Sequence, residues 1–240
     1  MNLIVDIGNS SAKFAFYENG KKKSVTRITD LLPSEVENLL SKSIFEKAII
    51  SSVKPVPPFL PELLNGKAGF LHILSYGSGF PFTIDYQTPE TLGPDRIAGI
   101  AGAFRLFPDS PLMVIDAGTA ITYDFLTDGV YKGGNISPGL SMRFRALNKF
   151  TGKLPLVSLS ENFTSPGQNT RDAILAGVIT GALYEINEYI RTFEKKVREL
   201  KIFLTGGDGE FINGKIDQHA IYVPDLVIDG LNFILEYNAA

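Results

Sequence analysis

Leu3-Ile4-Val5-Asp6-Ile7-Gly8-Asn9-Ser10 returns later in the chain as Met113-Val114-Ile115-Asp116-Ala117-Gly118-Thr119-Ala120. The two aspartates stand 110 positions apart, and so do Gly8 and Gly118. A second apolar run follows each Asp-x-Gly, Phe14-Ala15-Phe16-Tyr17 in one half and Ile121-Thr122-Tyr123-Asp124-Phe125 in the other. Each then meets a pair, Asn19-Gly20 or Asp128-Gly129, of the kind that closes a two-residue β-hairpin. One strand–Asp-x-Gly–strand unit in each half predicts two similar α/β lobes facing each other across a cleft. The chemistry of the turn is specific. Glycine lets the backbone approach a bound group, turn N–H groups can hold phosphate oxygens, and the carboxylate can hold a cation. This pattern reads as a nucleotide phosphate site.

The rest of the chain extends that pattern. In the first half we expect strands over 2–7, 12–18 and near 23–28, a helix near 34–42 with Ser34 as its N-cap, and a buried strand over 48–53. Four prolines between Lys54 and Pro61 end that strand. The second half repeats the order, with strands over 112–117, 120–126, near 129–133 and over 201–205, enlarged by helices. Helices are expected over Arg96–Phe107, Gly139–Phe150 and Thr170 to about Leu200, the first and last rich in small residues. Lobes over 1–110 and 111–240 follow, with the boundary near Phe107-Pro108-Asp109-Ser110-Pro111.

Composition narrows the function. The 240 residues carry a net charge of −3, no cysteine and two histidines. That excludes disulfides, thiolate chemistry, zinc–sulfur sites and a His-rich metal centre. No apolar run approaches the ~20 residues of a membrane span. Met1-Asn2-Leu3 leads straight into the first strand, so a cytoplasmic location is expected. Lys21-Lys22-Lys23 reads as a solvated hairpin tip, and an acidic chain without a basic stripe does not suit nucleic acid. A Walker A pattern occurs nowhere, which excludes an ordinary P-loop NTPase.

Five stretches carry candidate chemistry. Asp6-Ile7-Gly8-Asn9-Ser10-Ser11-Ala12-Lys13 offers turn N–H groups, two polar side chains and a cation, although Lys13 also fits a solvent-facing strand position. Asp116 at a strand end can ligate a hard cation, and Thr119 can contact phosphate. In Gly93-Pro94-Asp95-Arg96, Asp95 fits an N-cap and a general base kept ionised by Arg96; the two roles are compatible. Gly133-Gly134-Asn135-Ile136-Ser137-Pro138-Gly139 reads as a Gly-rich loop opening a helix. Thr170 opens the long helix, as a cap or as a substrate contact.

Taken together, Asp6 to Ser10 with Lys13, Tyr86, Gly93 to Arg96, Asp116 to Ala120 and Gly134 to Gly139 resemble the type III pantothenate kinases in order and spacing. The likeness runs through Thr170 and Thr205-Gly206-Gly207. It implies the duplicated ribonuclease-H-like lobes of the acetate and sugar kinase/Hsp70/actin superfamily, each a mixed sheet flanked by helices. It also implies transfer of the ATP γ-phosphoryl group to pantothenate, the first step of coenzyme A synthesis. By position, Asp6, Ile7, Gly8, Asn9, Ser10, Ser11, Ala12 and Lys13 would cradle ATP, with Thr119 helping. Asp95 would be the base. Tyr86, Gly93, Pro94, Asp95, Arg96 and Thr170 would hold pantothenate. Asp116 would ligate potassium or ammonium, Mg²⁺ would accompany ATP, and the protein would be a homodimer. Ser10 stands where threonine is common in the family and keeps its hydroxyl; the stretch from Arg145 to Leu159 matches nothing assignable. The alternatives are another small-molecule kinase or phosphohydrolase of the superfamily, or an accessory transcription regulator, a label this family has also carried.

Overall fold

The computed structural model describes residues 1–41 and 43–239. By Cα packing the chain forms two compact units. One comprises Met1–Pro108, Gly129–Lys132 and Asp225–Ala240, and the other Asp109–Asp128 and Gly133–Pro224.

In the first unit, strands β1 (Asn2–Ile7), β2 (Ala12–Glu18), β3 (Lys21–Ile28), β4 (Phe45–Ser52) and β5 (Ala68–Ile73) build a sheet in the order β3-β2-β1-β4-β5. The β1–β2 and β2–β3 pairs are antiparallel, whereas β1–β4 and β4–β5 are parallel. Helices α1 (Pro33–Leu40) and α2 (Phe59–Asn65) link the parallel strands. Leu3, Val5, Phe14, Val36, Leu40, Ile50 and Leu60 share one buried cluster. Alternate residues of the strands thus meet the apolar stripes of both helices.

The first unit also holds helix α3 (Pro94–Leu106) and the C-terminal helix, α7 (Leu226–Asn238). These two touch backbone to backbone. A Cβ on Gly102 would lie 2.4 Å from the Leu226 carbonyl oxygen, and one on Gly230 would lie 1.9 Å from that of Ala98. Only glycine permits such an approach. Polar contacts tie α7 to the sheet: Asn2 Nδ2 donates to Asn232 at 3.1 Å and to Glu236 at 2.6 Å, and the buried Tyr17 hydroxyl donates to Asp229.

The second unit repeats the topology with β7 (Leu112–Ala117), β8 (Ala120–Thr127), β10 (Lys201–Thr205), β11 (Ile221–Tyr222) and, from Gly133 onward, β9 (Val130–Pro138), ordered β9-β8-β7-β10-β11. Here β7–β8 is antiparallel, and β7–β10 and β10–β11 are parallel. Its helices are α4 (Leu140–Phe150), α5 (Thr170–Glu194) and the short α6 (Gly209–Ile212). Met113, Ile115, Tyr123, Ile186, Ile190 and Leu204 form one core, with Leu140, Phe144, Leu175 and Ile179 in a second. Both expected hairpin turns have left-handed backbones, with φ of 51° and 71° at Asn19 and Gly20 and of 52° and 69° at Asp128 and Gly129. The short strand β6 (Thr83–Ile84) runs parallel to Val130–Tyr131.

Several boundaries depart from the sequence reading. Ser34 is not the cap of α1: Leu32 holds the N-cap position and Pro33 is the first helical residue, where its missing N–H costs nothing. The expected end of that helix at Lys42 lies outside the described residues. Helix α3 likewise begins earlier, at Pro94. Gly133 to Pro138 is no loop; it continues β9, and Gly139 alone remains as the N-cap of α4. Helix α5 stops at Glu194 instead of near Leu200. Its last turn closes with Lys196 and Val197 N–H groups both donating to the Phe193 carbonyl.

Candidate active site

Asp6, next to last in β1, has Lys13 of β2 on one side and Ser51 of β4 on the other. Lys13 is therefore its cross-strand neighbour, not merely a solvent-facing residue. Gly8 N–H donates to the Ser11 carbonyl at 3.0 Å, closing the turn, and the Lys54 ammonium donates to the Asn9 carbonyl. Asn9 and Ser10 are exposed at the tip, Gly8, Ser11 and Lys13 are half-buried, and Ile7 and Ala12 pack in the core. The turn is thus a polar tip on an apolar base.

The second turn is built the same way. Asp116 lies opposite Thr122 of β8 and Thr205 of β10, and Gly118 N–H donates to the Ala120 carbonyl at 2.9 Å. In each unit the residues after the parallel strand return to the turn, Val53 N–H to Ile7 at 3.1 Å and Asp208 N–H to Ala117 at 2.8 Å. Ser51 and Thr205 are thus equivalent hydroxyl residues opposite the two aspartates. Sequence reasoning gave neither a role. A polar residue closing an otherwise buried strand was the available signal.

Two glycines clamp the second turn. A Cβ on Gly206, whose φ is +92°, would stand 2.3 Å from Asp116 Oδ1, and one on Gly139 would stand 2.2 Å from the Gly118 oxygen. Thr119 is exposed. Asp116 offers one carboxylate to a cation, and no group of three or more His, Cys, Asp or Glu suited to a metal occurs among the described residues.

Asp95 is not a cap. Gly93 is the N-cap, Pro94 is the first helical residue and Asp95 lies inside the first turn, where its Oδ1 accepts the Arg96 N–H at 2.9 Å. Burial pushes Asp95 above the usual carboxylate range, against opposing pulls from the Arg96 N–H and guanidinium. Arg96 is itself buried, at 7% exposure. Burial also lifts Asp6, to about 6; the Lys13 ammonium opposes the rise, the Asp95 charge adds to it and the Ser51 hydroxyl lowers it. The structure therefore brings Asp6, Lys13 and Asp95 into one electrostatic neighbourhood within the first unit.

Tyr86, half-buried, packs its ring against Tyr131 at 6.2 Å and 48°. It follows β6 and precedes a 3-10 turn over Pro89–Thr91 that leads into Gly93. Thr170 is exposed as the first residue of α5. The cap there is Asn169, whose side chain accepts the Asp172 N–H at 2.9 Å, which leaves the Thr170 hydroxyl without a capping role.

A type III pantothenate kinase family model matches residues 2–192. The chain is similar to a type III pantothenate kinase of Phocaeicola vulgatus, with 43% identity over 239 residues covering 99% of each chain. Among solved structures it is similar to a conserved Campylobacter jejuni protein described as a candidate Baf-family transcriptional activator, at 28% identity, TM-score 0.63 and coverage of 99% and 98%. A Listeria monocytogenes protein described as a candidate N-acetylmannosamine kinase shares the fold at 13% identity and TM-score 0.59, covering 98% of this chain and 99% of that one. The fold is that of duplicated ribonuclease-H-like lobes, as the two matching sheet orders require. The chain belongs to the type III pantothenate kinase family.

Proposed function

We propose that this chain transfers the γ-phosphoryl group of ATP to the primary hydroxyl of pantothenate, the first step of coenzyme A synthesis. The observation that carries this reading is the full-length likeness to an enzyme of that name. The matching residues, Asp6 to Lys13 and Gly93 to Arg96, also gather in one unit with two carboxylates raised by burial. Phosphoryl transfer needs positioning and charge neutralisation more than covalent chemistry. The Gly8–Lys13 turn supplies backbone donors and a cation for phosphate oxygens. Asp95 accepts the hydroxyl proton; its upward shift brings it nearer the working pH, where a base is most effective. Gly93 to Arg96 and Tyr86 hold pantothenate. Mg²⁺ accompanies the nucleotide, as in kinases generally, and neutralises phosphate charge.

The remaining assignments follow the family resemblance: Thr119 to ATP, Thr170 to pantothenate, potassium or ammonium at Asp116, a homodimer and a cytoplasmic location. For the dimer, α5 supports the reading with an open face. A Cβ on Gly177 or Gly181 would meet nothing within 4 Å, and Tyr184 is 69% exposed. Light scattering at micromolar concentration tests it, since a monomer mass would contradict it. Among the described residues, no helix is long and apolar enough to cross a membrane. Mass spectrometry of the product from ATP and pantothenate tests the main reading: 4'-phosphopantothenate is expected, and its absence alongside phosphorylated sugars or acetate would favour another kinase of the superfamily. The transcriptional label of the Campylobacter relative calls for a gel-shift assay, in which no salt-dependent DNA binding is expected.

A further inference from the structure

Glu185, in the middle of α5, gathers three donors from three other places in the second unit. Its Oε1 accepts the Tyr123 hydroxyl at 2.7 Å and the Ser137 hydroxyl at 2.5 Å, and its Oε2 accepts Arg143 Nη2 at 2.7 Å. Burial opposes the charge, yet the donors hold Glu185 below the usual carboxylate range. Tyr123 is wholly buried, so its hydroxyl depends on this partner.

Two of those donors flank Gly139. Arg143 also donates from Nε to the Pro138 carbonyl at 2.8 Å and from Nη2 to Ser137 Oγ at 3.3 Å. Gly139 in turn donates its N–H to the Thr119 carbonyl at 3.1 Å, and its α-carbon packs so closely that a Cβ would stand 2.6 Å from that oxygen. The position of the 137–139 segment therefore fixes the Gly118-Thr119 turn. The first turn is held differently, with Lys54 reaching Asn9.

We propose that Glu185 is a positioning residue for the Asp116–Thr119 turn. Its carboxylate fixes Ser137 and Arg143, these fix Pro138 and Gly139, and Gly139 backs the turn. The kinetic consequence rests on the assignment of Thr119 to ATP.

The test compares Glu185→Gln, Thr119→Val and the double variant in the full-length protein. Hydrogen exchange at the Gly118 and Gly139 amides is followed alongside KM for each substrate. Glu185→Gln should speed exchange at those two amides beyond any change in the β1 core. It should also raise KM for ATP about tenfold, the loss of one charge-assisted hydrogen bond, while KM for pantothenate stays within about twofold. The double variant should be no worse than the worse single one. Unchanged exchange at Gly118 and Gly139, or an equal rise in both KM values, overturns the proposal. If Thr119→Val alone leaves KM for ATP unchanged, the ATP assignment of Thr119 fails, while local loss of protection in Glu185→Gln still upholds the positioning role. Should Glu185→Gln not fold, Ser137→Ala removes one donor without touching the charge and carries the same expectation at smaller size.

Discussion

Asp6 and Asp95 are electrostatic neighbours within the first unit: the Asp95 charge adds to the burial that lifts Asp6 to about 6. Neither the hairpin nor the helix start achieves this alone. β1 brings Asp6 to its end, and the first turn of α3 brings Asp95 near it. The proposed phosphate cradle and the proposed base for the acceptor hydroxyl thereby share one unit.

That relationship sets a pH dependence. Asp6 rises from 3.8 unfolded to about 6 folded, so between these values the folded protein binds more protons. Its contribution is fully present below about 4 and is lost as pH rises through about 6. Asp6→Asn should therefore be more stable than the wild type at pH 7.5 in the ligand-free protein, by of order 2 kcal/mol. The difference should shrink towards pH 4.5. Urea unfolding at the two pH values measures it, and a variant destabilised equally at both would contradict the assignment.

Gly93→Ala should leave the fold intact and slow the reaction. An added Cβ would meet Asp95 Oδ1 at 2.5 Å, and Gly93 has an ordinary φ of −57°. The carboxylate can rotate away cheaply, so the strain falls on the Asp95 side chain and not on the backbone. We expect less than about 1 kcal/mol lost in stability and kcat reduced by about tenfold or more, within the range of general-base effects. Normal kcat would mean that the Asp95 orientation is not used.

Gly206→Ala should do the reverse. Its Cβ would press on Asp116 Oδ1 at 2.3 Å and on the Ala117 carbonyl at 2.5 Å, at a left-handed φ of +92°. Backbone cannot yield as a side chain does, so a loss of about 2–4 kcal/mol is expected by thermal or urea unfolding. A variant as stable as the wild type would show the clamp on the second turn to be slack.

Asp116→Ala should abolish the response to potassium or ammonium. The measurement is the initial rate against added KCl or NH4Cl, with a bulky organic cation keeping ionic strength constant. An unchanged response would place the ion elsewhere.

The hairpins were legible in the sequence because their information is local. Alternating apolar residues and Asn-Gly or Asp-Gly pairs fix strand and turn together, and the repeat spacing exposes the duplication. Helix α2 escaped notice because it begins inside the run of prolines. Pro61 is its third residue, still in the first turn, where no N–H partner is needed. Helix α7 has no motif to announce it, and its place is set by long-range contacts, with α3 through glycine and with Asn2 and Tyr17 of the sheet. Asp6, Lys13 and the Gly93–Arg96 stretch were visible as motifs. Of the two compatible roles open to Asp95 in the sequence, the cap fails because the backbone places Pro94 already inside the helix. Glu185 could not be read at all, since its partners lie 62, 48 and 42 residues away.

The most direct measurement pairs wild type with Asp95→Asn in an assay coupling ADP release to NADH oxidation, with and without pantothenate. ADP release by the wild type should require pantothenate. In Asp95→Asn it should fall by about 100-fold or more while calorimetry shows ATP still bound. ADP released at the same rate without pantothenate, or full turnover by the variant, would contradict the account.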